Sequence, residues 1–157
     1  MHSTFVMTDT RASSLYIQLT HQHEHLATLF DQLLAAMKLE SADVAALWDE
    51  IEQGLLAHME SEERFILPAF ARIDREEAVA LLREHGAIRE QLLELGIAID
   101  LHCIRYERSR EFIETLRRHA QREQKLYRWA DTRLSQGRSE ALRDDLVAGA
   151  PHAFTRG

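Results

Sequence analysis

Nine histidines in 157 residues stand out in this composition, and four of them fall at spacings that suit metal ligation. His58 and Glu62 are four residues apart, as are His119 and Glu123. On a helix that offset puts both members of a pair on one face, with Cβ atoms about 5–6 Å apart. His23 lies 35 residues before His58, and His85 lies 34 before His119. Six such groups aimed into a core would be costly if nothing joined them, because a buried unpaired carboxylate loses its hydration and gains no partner. Two divalent cations remove that cost, since neutral imidazole nitrogens and ionised carboxylates are the donors such ions take; iron, zinc and manganese all accept them. The expected metal ligands are therefore His23, His58, Glu62, His85, His119 and Glu123.

A repeat supports the same set. The segment "EHGAIREQLL" lies over "QHEHLATLFD", matching His85 to His23, Ile88 to Leu26 and Leu92 to Phe30. Likewise "LLAHMESEERFILPAF" lies over "LRRHAQREQKLYRWAD", matching His58 to His119 and Glu62 to Glu123. The chain reads as one helical hairpin used twice.

The elements that must position these residues follow from apolar positions at alternating spacings of three and four. A first helix is expected from about Ser14 to Lys38, with His23 in line with Leu19, Leu26 and Phe30. A second begins near Ser41 or Asp43 and carries Trp48, Ile51, Leu55, His58, Glu62 and Phe65 until Pro68 ends or kinks it. A third opens near Asp74 with Leu81, His85, Ile88, Leu92 and Leu95 inward, and a fourth runs from about Ser109 to Leu134. The turn between these last two falls within 100–108, where neither Gly nor Pro marks it. Antiparallel neighbours meet when their residues lie equally far from the connecting turn, and midpoints near Glu40, Asp74 and His102 put all six ligands at one level. Short links give an all-α, up-down-up-down four-helix bundle in a single domain, with a short fifth helix over Ser139 to Val147. The bundle core spans about 14–135, and the ends, 1–11 and 149–157, are expected to be loosely held.

The order His, His-x-x-x-Glu, His, His-x-x-x-Glu, with the phrases "HMESEERFILP" and "REHGAI", resembles the hemerythrin-like HHE cation-binding domain from about Tyr16 to Leu134. That resemblance implies a non-haem di-iron centre bridged by oxide or hydroxide, with Glu62 and Glu123 as bridging carboxylates and the histidines as terminal ligands. Oxygen-carrying hemerythrins place two histidines four apart on the third helix. Here Leu81 and Arg89 flank His85 at that spacing, so the chain looks more like the four-histidine, two-glutamate branch. The implied function is binding of, or reaction with, dioxygen, nitric oxide or peroxide, as sensor, store or scavenger. A metal-stabilised interaction module, or an iron donor in repair of damaged iron–sulfur centres, is the alternative.

The remaining features narrow the field. A formal charge of −7, with cations scattered rather than striped, argues against nucleic acid as a partner, and no apolar run is long enough for a membrane span or a secretory signal. The single cysteine fits a reducing cytoplasm, and Cys103 is expected to be buried. There is no Ser-His-Asp arrangement, phosphate-binding glycine loop or Cys-x-x-Cys pair. His21 and His25 sit about 200° to either side of His23 on a helical wheel and should be solvated. His102, about 25 Å along a helix from His85, belongs to a turn. His2 and His152 should be exposed, Glu60 and Glu63 are most simply surface charges, and Glu63 and Tyr127 are candidates to brace the ligands.

Overall fold

The computed structural model describes residues 14–134 and 136–148. Six helices occur among them: α1 Leu15–Lys38, α2 Val44–Phe65, α3 Leu67–Phe70, α4 Arg75–Asp100, α5 Tyr106–Arg133 and α6 Gln136–Ala148. Short polar side chains open two of the long ones. Ser14 Oγ accepts the Ile17 N–H at 3.2 Å, and Asp74 Oδ1 accepts the Glu77 N–H at 3.1 Å. Before α2 the expected cap takes another form: Ser41 Oγ accepts the Asp43 N–H at 3.2 Å, and the Asp43 side chain makes no cap bond. Pro68 acts as expected, with α2 closing at Phe65 and the proline sitting in the first turn of α3.

Two boundaries differ from expectation. The fourth bundle helix starts at Tyr106, three residues before Ser109, and the C-terminal helix starts at Gln136 rather than Ser139. The α4–α5 turn lies at 101–105, and Cys103 there is exposed, which corrects its expected burial. Once α4 has ended at Asp100, helical periodicity no longer decides which way a side chain points. His2, His152 and the chain ends 1–11 and 149–157 lie outside the described residues.

Two apolar clusters fix the direction of each helix. One takes Leu26, Phe30 and Leu33, after His23 in α1; Trp48, Ile51 and Leu55, before His58 in α2; Ile88, Leu92 and Leu95, after His85 in α4; and Phe112 and Ile113, before His119 in α5. The other takes Leu15 and Leu19, then Ile66, Leu67 and Phe70, then Ala78 and Leu81, and then Leu126, Tyr127 and Ala130. Following the chain, the first cluster is reached alternately after and before the histidine level, so α1, α2, α4 and α5 run up, down, up, down. Leu142 and Leu146 of α6 join the second cluster, and Ser61 Oγ on α2 lies 2.5 Å from Asp145 Oδ2. Between the two apolar layers lies one polar layer.

Candidate metal centre

That layer contains all six residues expected from the sequence. His23 comes from α1, His58 and Glu62 from α2, His85 from α4, and His119 and Glu123 from α5. Five of them are buried, Glu62, His85 and Glu123 completely, while the His23 side chain is 18% exposed. Their donor atoms form two groups that share both carboxylates: His23, His58, Glu62 and Glu123 in one, and Glu62, His85, His119 and Glu123 in the other. Within each group the atoms lie within 4.8 Å of one another, and either group could hold a cation. The i, i+4 spacing acts as expected: His58 Nε2 is 2.9 Å from Glu62 Oε1 and His119 Nε2 is 2.5 Å from Glu123 Oε1.

Outside this inner set, three histidines lean on oxygen acceptors through Nδ1. His58 Nδ1 donates to Gln22 Oε1 at 2.6 Å, His85 Nδ1 to Glu63 Oε1 at 2.8 Å, and His119 Nδ1 to Glu84 Oε2 at 2.6 Å. Amide and carboxylate oxygens only accept, so each Nδ1 carries the proton and each Nε2 is turned inward. Arginines hold the two carboxylates in turn. Arg89 grips Glu63 with Nη1 at 2.7 Å and Nη2 at 3.0 Å, and Arg122 Nη1 reaches Glu84 at 2.6 Å while its Nε and Nη2 bind Glu77. Burial would raise the Glu63 carboxyl, but Arg89 and His85 outweigh it and keep the group ionised.

Without a cation the polar layer must balance its own charge. Burial alone would lower the His58 imidazole, but the Glu62 and Glu123 carboxylates raise it to about 10. Burial opposes protonation of His85 too, and the Glu123 and Glu62 carboxylates raise it to about 10. His119 is raised by Glu123 and Glu84 against the same opposition. Burial would push the Glu123 carboxyl up, yet the histidines around it, His119 first, hold it well below the ordinary value. Protons thus stand where a cation would bind. Two buried atoms of this layer still lack a hydrogen-bond partner: Glu62 Oε2 and His119 Nε2. They come within 3.2 Å of His85 Nε2 and 2.5 Å of Glu123 Oε1 respectively, without the angles of a hydrogen bond. Two orphaned donors among six convergent N and O ligands fit a divalent metal pair.

The family model of the hemerythrin HHE cation-binding domain matches residues 14–130. The chain belongs to that family. Searches of curated proteins and of solved structures found no match.

In this hemerythrin HHE domain the positions four before and four after His85 hold buried Leu81 and the Arg89 that clamps Glu63. His21 and His25 are exposed on α1; His25 Nε2 lies 4.0 Å from Glu50 Oε1, and neither histidine belongs to the centre. His102 is exposed in the α4–α5 turn, and Glu60 is exposed on α2. Glu63 and Tyr127 both touch candidate ligand histidines, Glu63 through His85 Nδ1 and Tyr127 through His23 and His58. Gln22, Glu84, Arg89 and Arg122 were not foreseen. For two of them a signal existed in the repeat, because Glu84 stands over Gln22, each just before a first-helix histidine and each holding the histidine of the next helix.

Proposed function

We propose that the chain is a non-haem di-iron protein whose metal pair binds or reacts with dioxygen, nitric oxide or peroxide, as sensor, store or scavenger. The observation that carries this reading is the convergence of four imidazoles and two shared carboxylates, two of whose donor atoms are orphaned. His23 and His58 would serve the first ion and His85 and His119 the second, with Glu62 and Glu123 common to both. Iron at such a site supplies redox change and coordination positions for small molecules. Zinc or manganese could occupy the same donors.

The chain's own residues supply the rest. A cavity of about 390 Å³, bounded by α1, α2 and α5, reaches His23, His58 and His119. Its walls include Leu26, Phe30, Leu55, Met59, Ile113 and Leu116, which admit a small apolar molecule more readily than an ion. The Nδ1 contacts to Gln22, Glu63 and Glu84 fix the imidazole orientations, so ligand geometry does not have to reorganise when a small molecule arrives.

Metal-free protein is loaded with ferrous iron under anaerobic conditions, desalted, and exposed separately to dioxygen, nitric oxide and peroxide. About two retained irons per chain, and a new visible or near-ultraviolet absorbance with at least one reagent, are expected. Failure to retain iron, or retained iron that none of the three reagents changes, overturns the reading.

A further inference from the structure

One group in the polar layer belongs to neither histidine-carboxylate set and sits against one of them. Tyr127 Oη lies 2.8 Å from His23 Nε2, 2.9 Å from His58 Nε2 and 3.0 Å from Glu123 Oε2, and donates its hydrogen bond to Glu62 Oε1. These four atoms belong to the four residues of the first candidate metal group. We propose that Tyr127 is a seventh protein ligand, bound through its phenolate oxygen to the ion between His23 and His58, and that the other ion has no counterpart. This rests on the di-iron reading above and adds a residue, a donor type and an asymmetry to it.

Three observations lead there. The first is position: a hydroxyl in contact with every ligand of one ion can reach that ion with a small shift, whereas a residue that only braced a ligand would touch one of them from outside, as Gln22, Glu63 and Glu84 do. The ring is anchored for this, fully buried in the apolar cluster with Leu15, Leu19 and Leu126, and its oxygen enters the polar layer. The second is the broken repeat. Where Glu123 is matched by Glu62, Tyr127 is matched by Ile66, which is also fully buried and offers no donor to the second group.

The third is charge. His85 and His119 each lean on a carboxylate, Glu63 and Glu84, while His58 leans on the neutral amide of Gln22. A phenolate adds an anion to the side where no carboxylate stands behind His58. In the ligation step a metal–oxygen bond replaces the O–H bond, the proton leaves to solvent, and no electron moves. Counting protein donors then gives five residues for the first ion and four for the second. The second ion, with one protein donor fewer, would keep more positions open for a small molecule.

The test is resonance Raman spectroscopy on ferric-loaded full-length chain, with metal content measured on the same samples. Wild type is expected to show phenolate ring vibrations enhanced in a visible charge-transfer band. Tyr127→Phe is expected to lose them while still retaining about two irons. The chain has three tyrosines, and the others, Tyr16 and Tyr106, lie over Arg128 and Lys38. The double variant Tyr16→Phe/Tyr106→Phe must therefore keep the band, a check that holds even if Tyr127→Phe does not fold. Two irons without phenolate vibrations in wild type, or a band lost from the double variant, overturn the proposal and leave the di-iron reading intact. Failure of wild type to hold iron overturns both.

Discussion

An imidazole can offer Nε2 to a metal only if its tautomer and ring orientation are set, and here that task falls to residues whose importance the sequence shows weakly. The six inner residues were legible because a His-x-x-x-Glu offset and a twofold repeat pointed at the same positions. Gln22 and Glu84 were harder to see, because a Gln or Glu on a half-exposed helical position is ordinary; only their matched places before His23 and His85 set them apart. Removing either brace should weaken metal binding without unfolding the bundle: Gln22→Ala or Glu84→Ala is expected to lower metal affinity about 10–100-fold, as measured by competition with a chelator. Glu62 is different, since it is fully buried and contacts His58, His85 and Tyr127. Glu62→Ala should abolish pair binding and destabilise the metal-free fold by about 3–5 kcal/mol, the cost of breaking a buried ion pair. Chemical denaturation of both proteins without metal checks the second part.

At the level of elements, the repeat extends to the turns. α1 ends at Lys38 and α4 at Asp100, 62 residues later, the same offset that separates His23 from His85. Glu40 and His102 then adopt left-handed backbone, with φ 49° and 52°. Ser41 N–H donates to Ala36 O at 2.9 Å, and Cys103 N–H to Ala98 O at 2.8 Å, so each helix closes with the same backbone motif. This is why the α4–α5 turn was hard to place from the sequence: the residue that usually marks such a cap is Gly, and neither copy has one. The readable turn at Glu40, carried forward by the repeat, locates the other. Glu40→Gly and His102→Gly each relieve the left-handed strain at exposed positions, and each is expected to stabilise the protein by about 0.5–1 kcal/mol, read as a higher midpoint in thermal melting. No loss of metal should accompany it.

Across the whole molecule, the polar layer between two apolar clusters makes stability depend on what neutralises Glu62 and Glu123. In the metal-free protein His58 and His85 are raised from 6.5 to about 10, so their contribution is fully present below about pH 6.5 and is lost as pH rises through about 10. Glu123, held well below its ordinary value, contributes stability that is present above that value and disappears on acidification. The metal-free melting temperature should therefore fall steadily from pH 6.5 to 10. In the metal-loaded protein the Nε2 atoms hold metal in place of protons, and that alkaline decline should be absent; at free metal about 100 times the dissociation constant the gain is about 2.7 kcal/mol. Melting curves across that pH range, with and without metal, check both statements.

The central claim is that two irons lie in this layer, one between His23 and His58 and the other between His85 and His119. Anomalous diffraction from crystals of iron-loaded protein, recorded on either side of the iron absorption edge, tests it most directly. Two iron peaks are expected, each against its own pair of histidines and both against Glu62 and Glu123. A single peak, a peak outside the layer, or no iron signal in crystals of protein with confirmed iron content contradicts the claim.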